Sequence, residues 1–218
     1  TTPATFPTRP LCFTSLPMFD RTVQAAIKPL LSQAAKGLVR AGIGADALTV
    51  AGFFVGMAAA VAIAFEGYTI GLVLLLASRL MDGLDGAVAR ETKPTDRGGF
   101  LDITLDFLFY ASIPLAFAIA HPAQNALPAA VLLAAFIGTA SSFLAFAIVA
   151  EKNRMASTAI PGKSFYFLGG LTEATETIVA LSAMCLWPEV FPLIAYGFAV
   201  LCGITIVMRI GWGWQRFR

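Results

Sequence analysis

Four aspartates, Asp82, Asp85, Asp102 and Asp106, fall within the stretch LMDGLDGAVARETKPTDRGGFLDITLDFLFY, and apolar runs flank it on both sides. A carboxylate at mid-bilayer depth costs about 2.5–3.5 kcal/mol on insertion scales, so four of them need strong compensation. Hard divalent cations supply it, because they take carboxylate oxygens. Asp82 and Asp85 are three residues apart and Asp102 and Asp106 four apart, so each pair projects from one face of its helix. A short link over 92–97 then folds the two helices antiparallel and lets all four carboxylates meet. Unpaired at such range they repel one another and take up protons. One or two Mg²⁺ or Mn²⁺ ions would hold them ionised and also grip phosphate oxygens, which points to phosphoryl transfer. Gly83, Gly86, Gly98 and Gly99 remove bulk around the pairs and let helices and a ligand approach.

Two other readings of the cluster stand beside this one. Arg79, Arg90 and Arg97 are close enough in sequence to pair with the aspartates and merely lock helices together, although a buried ion pair is weak grounds for stability. A proton or divalent-cation pathway also uses membrane carboxylates, but such groups are usually spread through the membrane depth, and here they gather at one end.

The elements that must position these residues are helices in a membrane. Of 218 residues 58% are hydrophobic and 13% charged, against about 25% charged in a soluble domain. The mean hydropathy is +0.78. Six candidate spans lie near 47–66, 69–91, 98–120, 126–150, 166–187 and 190–210, several of them long enough for a hydrocarbon core of about 30 Å. Before them, residues 1–18 are rich in Thr and Pro and read as a loosely structured lead-in rather than a signal peptide. From Met18 to about Val39, apolar residues recur at helical spacing with Arg21, Lys28 and Lys36 between them, and Pro29 predicts a kink or two short helices. An amphipathic helix in the membrane interface fits this pattern; a helix packing on the soluble side is the rival. The expected organisation is therefore a lead-in and interfacial helix over 1–45 and a six-span catalytic unit over 46–218.

None of the 15 basic residues lies in the links Glu66–Tyr68, His121–Pro122 or Trp187–Glu189. That bias predicts both termini and the aspartate cluster on the cytoplasmic side. A net charge of +2, with no basic run interleaved with aromatics, argues against a nucleic-acid partner. The three cysteines, Cys12, Cys185 and Cys202, lack zinc-site spacing, and His121 is the only histidine, in a loop. Thiol and imidazole chemistry are therefore not expected.

The residues Asp82-x-x-Asp85-Gly86-x-x-Ala89-Arg90, then Gly98-x-x-x-Asp102-x-x-x-Asp106, resemble the signature of the CDP-alcohol phosphotransferases. The spacing departs at one point: seven residues, Glu91 to Arg97, precede Gly98 where the family usually has eight, a one-residue shortening of the link. The resemblance implies an all-α, polytopic, homodimeric enzyme with six spans and a preceding interfacial helix. It implies Asp82, Asp85, Asp102 and Asp106 as metal ligands for two Mg²⁺ or Mn²⁺ ions, and Asp106 also as general base on the acceptor hydroxyl. Gly86 and Ala89 would make room for the CDP moiety, with Arg90 organising the site or touching phosphate and Thr49 facing the nucleotide. The reaction so implied moves a phosphatidyl group from CDP-diacylglycerol to an alcohol, such as glycerol 3-phosphate, and releases CMP. Transfer from a soluble CDP-aminoalcohol to diacylglycerol is the alternative within the family.

Four further signals bear on the site. Asp46 is placed to cap the first span. Arg79 lies one turn before Asp82 and is expected to pair with it. Glu173 and Glu176 either favour a helix N-terminus or bind an amine-bearing or polyhydroxyl acceptor. Lys152, Arg154 and Lys163 either hold a phosphorylated acceptor or follow the positive-inside bias and touch anionic lipid heads.

Overall fold

The computed structural model describes residues 19–153 and 172–217, with the backbone alone over 19–28. Seven α-helices account for nearly all of it: α1 Phe19–Arg40, α2 Ala45–Ala64, α3 Tyr68–Glu91, α4 Asp96–Ala120, α5 Pro122–Lys152, α6 Ala174–Leu186 and α7 Phe191–Arg216. No strand occurs among the described residues. The all-α architecture expected from the apolar runs is therefore the one observed. Four helical stretches, α2, α4, α5 and Pro188–Arg216, are long and apolar enough to cross a membrane. The 24-residue α3 has the length but also carries Arg79, Asp82, Asp85, Arg90 and Glu91. α6 is a shorter apolar helix of 13 residues, and the earlier part of the expected fifth span lies outside the described residues, as do Cys12, Arg154 and Lys163.

Local chemistry sets the helix ends. Gly42 (φ 77°) terminates α1 in a Schellman motif, with Gly42 N–H donating to the Val39 carbonyl and Ile43 N–H to that of Leu38. The same pair of bonds closes α2, from Glu66 N–H to Ile63 and from Gly67 N–H to Ala62. There the left-handed position is held by Glu66 (φ 63°) instead of a glycine. Thr95 caps α4, its Oγ1 accepting from Gly98 N–H at 3.0 Å. Pro29 does not split α1, which runs as one helix through it. The docking of Leu31, Ala35, Leu38 and Val39 against Met81, Leu84, Ala87 and Val88 of α3 compensates the lost backbone bond.

α2 is the centre of the arrangement around the cluster. It packs extensively on both α3 and α4, whereas α3 and α4 meet through side chains, Arg79 with Asp106 and Phe109, more than by close backbone approach. A short link of four residues, Thr92 to Thr95, joins two helices that each pack their backbone on α2. The reason lies in the small residues of α2. A Cβ on Gly52 would stand 3.1 Å from Met81 Cβ, and one on Gly56 would overlap Phe109 Cδ2 at 2.5 Å and Ser78 Oγ at 2.9 Å. Lipid provides no hydrophobic drive between spans, so close packing of small residues carries the association. On the far side of α4, α5 packs on α4 and α7, and α6 on α3. Their core is built on Leu75, Ile113, Phe117, Leu132, Leu181, Met184 and Phe191, with the Phe117 and Phe191 rings stacked at 4.5 Å.

Candidate active site

The space left between α3 and α4, floored by α2, is a small cleft. It is lined by Thr49, Gly52 and Phe53 of α2, Ser78, Arg79, Asp82 and Asp85 of α3, and Asp102, Leu105 and Asp106 of α4. All four aspartates singled out by spacing thus face one cavity. Asp82, Asp102 and Asp106 each offer a carboxylate oxygen within 4.8 Å of the others. Asp85 lies deeper: it is 5% exposed, and its Oδ2 has no hydrogen-bond partner among the described residues. Thr49 comes from α2 to stand against the Asp85 carboxylate while its hydroxyl donates to the Ala45 carbonyl at 3.1 Å.

Among the described residues, Arg79 is the one cation in the lining. Its Nη1 donates to Asp106 Oδ1 at 2.6 Å and lies 3.7 Å from Asp82 Oδ1. The expected partner, Asp82, is therefore the more distant one, because α4 brings Asp106 in directly opposite the guanidinium. One cation does not balance four carboxylates. A buried, unpartnered carboxylate oxygen beside three converging acidic side chains fits a hard divalent ion, whose preferred donors are oxygens. The helix-locking reading holds for Arg79 only. Arg97 goes to Asp46 instead, through Nε at 2.9 Å and also through Nη2, and the Arg90 guanidinium lies against Gly86.

That Arg97 pairing corrects the expected role of Asp46. The N-cap of α2 is Gly44, which makes no side-chain cap bond, and Asp46 sits inside the first turn. Its carboxylate ties the start of α2 to the start of α4. The second glycine of the motif gains a structural reason from the same contact. A Cβ on Gly98 would stand 3.1 Å from both Asp46 Oδ1 and Thr95 Oγ1. Gly86, Ala89 and Arg90 do not line the cleft; Arg90 is exposed one turn beyond it, at the end of α3.

Glu173 and Glu176 form a capping box at the N-terminus of α6, Glu176 Oε2 accepting from Glu173 N–H at 3.1 Å. The placement at a helix N-terminus expected from the sequence is the one observed, and there the two side chains also cap the helix. Lys152 lies in the last turn of α5. Sequence spacing missed Ser78 and Arg209. Ser78 Oγ donates to the Gly52 carbonyl at 2.8 Å, fixing α3 to α2 beneath the cleft. Arg209 is buried in α7, with Nη1 donating to the Thr139 carbonyl of α5 at 3.0 Å. An arginine near the end of an apolar run is ordinary topology in sequence; only packing shows that it turns inward.

Comparison with known proteins agrees with this geometry. The family model described as CDP-alcohol phosphatidyltransferase matches residues 43–208. The chain is 50% identical over 197 residues to the inner membrane protein YnjF of Escherichia coli, a match covering 90% of this chain and 96% of that one. It is 49% identical over 70 residues to an archaetidylinositol phosphate synthase of Methanothermobacter thermautotrophicus, covering 32% of this chain and 36% of the relative. The fold superposes on phosphatidylinositol phosphate synthase of Mycobacterium tuberculosis with CDP-DAG bound, with a TM-score of 0.67 at 22% identity over 85% of this chain and 94% of that one. The same enzyme in complex with manganese and citrate gives 0.66 at 22% identity, over 84% and 88%. A family model spanning most of the chain and a relative half identical along nearly its whole length leave one assignment: the chain belongs to the CDP-alcohol phosphatidyltransferase family, as an integral membrane transferase of phospholipid synthesis.

Proposed function

We propose that the cleft transfers a phosphatidyl group from CDP-diacylglycerol to the hydroxyl of a phosphorylated alcohol, with release of CMP. The observation that carries this reading is the convergence of Asp82, Asp102 and Asp106 within 4.8 Å, with Asp85 in the same cleft. Asp82, Asp85, Asp102 and Asp106 would hold one or two divalent ions, Mg²⁺ or Mn²⁺. When bound, such an ion supplies positive charge that offsets the donor diphosphate and the leaving phosphate.

The chain's own residues do the rest. Arg79 donates to Oδ1 of Asp106 and holds that carboxylate in the cleft. Asp106 takes the proton from the acceptor hydroxyl as its oxygen attacks the phosphorus of the lipid phosphate. The bond from that phosphorus to the bridging oxygen of the diphosphate breaks, and CMP leaves with the bonding pair. Thr49 and Gly52 leave room beside the carboxylates for the nucleotide, and Gly86, Ala89 and Arg90, towards the end of α3 beyond the cleft lining, would flank it. Diacylglycerol chains remain among the lipid-facing side chains, so only the polar head enters the cleft. Residues 1–45 serve as lead-in and interfacial helix, and 46–218 as the catalytic unit of six spans, with the cleft on the cytoplasmic side and a homodimer as the working assembly.

A phosphorylated acceptor is favoured over an amine-bearing one because neither Glu173 nor Glu176 lines the cleft, and two similar proteins bear the names of synthases of inositol phosphate lipids. The test is purified protein with Mg²⁺ or Mn²⁺ and CDP-diacylglycerol, offered glycerol 3-phosphate, inositol phosphate, serine or no acceptor. CMP and lipid products are read by mass spectrometry. CMP release with a phosphorylated alcohol, lowered about 10²–10⁴-fold in Asp106→Asn and lost in EDTA, is expected. Turnover only with CDP-choline and diacylglycerol overturns the donor assignment.

A further inference from the structure

Arg79 lies outside the eight-residue signature, which begins at Asp82, yet it is held at several points in the cleft. Only 7% of the side chain is exposed. A single nitrogen, Nη1, faces Asp106 of α4 at 2.6 Å and Asp82 of α3 at 3.7 Å, so one guanidinium bridges both walls. Its Cζ sits 4.0 Å from the centre of the Phe109 ring and 5.3 Å from that of Tyr110, a cation–π seat that strengthens away from water. Nη2 donates to Ser78 Oγ at 3.3 Å, and Ser78 is itself fixed to the Gly52 carbonyl of α2. Withdrawal would break contacts to α4 and within α3 and leave a charge in an apolar setting, which favours Arg79 staying in place when other groups enter the cleft.

We propose that Arg79 is a positioning residue, an internal counter-charge that holds Asp106 and Asp82 assembled before a divalent ion arrives. This rests on the metal reading of the same cleft. Arg79 and an incoming cation draw on the same two carboxylates. The guanidinium therefore stabilises the ion-free protein more than the ion-loaded one, and the difference appears as weakened metal affinity. A residue that only filled space would support both states alike. Arginine suits the role because its charge is permanent and its planar fork reaches a carboxylate, a hydroxyl and a ring face together.

The experiment compares wild type, Arg79→Gln, Arg79→Met and Arg79→Lys in detergent. Mn²⁺ binding is followed by paramagnetic resonance of free ion, and thermal unfolding is measured with and without Mn²⁺. Removing the charge in the Gln and Met variants is expected to tighten Mn²⁺ binding roughly fivefold or more and to enlarge the Mn²⁺-induced rise in Tm. Arg79→Lys, which keeps the charge, stays within about twofold of wild type. Recovery of a Gln or Met variant only when Mn²⁺ is present is the extreme form of the same result. Unchanged or weakened Mn²⁺ binding in both, or failure of both to fold even with Mn²⁺, overturns the proposal and leaves Arg79 a packing residue. Wild type that binds no Mn²⁺ instead removes the metal reading itself, and the proposal with it.

Discussion

Asp85 is buried, and its Oδ2 has no hydrogen-bond partner among the described residues. A buried ionised carboxylate with an unpartnered oxygen costs several kcal/mol, so in the absence of metal it opposes folding, and a bound cation offsets the cost. Asp85→Asn keeps the shape and removes the charge. The variant is expected to unfold at higher temperature than wild type in EDTA, by the equivalent of about 1–3 kcal/mol. It should also lose most of the stabilisation that Mn²⁺ gives wild type. A drop in Tm in EDTA would show that the carboxylate is held by something other than a cation. At this scale the sequence was readable where chemistry follows local spacing. Two aspartates at three and two at four residues apart must share helix faces, and they do. It was not readable where the partner is remote. Arg79 has Asp82 one turn away, but its closer contact is Asp106, 27 residues on. Asp46 looks like a cap, but it turns to Arg97, 51 residues on.

The two helices bearing the aspartates both pack on α2, and the glycines of α2 set how closely each approaches it. Gly56 is the tightest point, since an added Cβ would meet the Phe109 ring at 2.5 Å and Ser78 Oγ at 2.9 Å. Both neighbours support Arg79, Phe109 through its ring face and Ser78 through its hydroxyl. Gly56→Ala is therefore expected to cost about 1–3 kcal/mol in overpacking and to lower CMP release although it touches no reacting atom. Thermal unfolding and turnover measured together check this; unchanged turnover would show that the cleft tolerates a wider α2–α4 spacing. Element identity was legible from apolar run length and from separators such as Glu66-Gly67, which fall between α2 and α3 as expected. Adjacency was not. A short link between α3 and α4 suggests packing neighbours, and their side chains do meet, but a link limits only the distance between helix ends and does not show that each helix packs its backbone more closely on α2.

Across the whole molecule, charge and apolar length divide the chain into a membrane body and one basic end. Lys93 lies in the α3–α4 link and is exposed; Gln124 begins α5 at the opposite end of α4 and is also exposed. With the native cysteines replaced, Gln124→Cys is expected to react with a membrane-impermeant maleimide on intact cells. Lys93→Cys should react only after permeabilisation, because basic links stay in the cytoplasm. The reverse pattern would place the cleft on the other side of the membrane and overturn the proposed orientation.

Sequence alone determined the helical class, the membrane setting and the four acidic side chains, because hydrophobic length, helical periodicity and the high cost of a carboxylate in lipid are properties of neighbouring residues. Tertiary structure decided which groups meet: Arg79 with Asp106, Asp46 with Arg97, and Thr49 with Asp85 in a cleft floored by α2. These contacts join residues tens of positions apart, and side-chain packing between helices, which no local pattern records, sets their distances.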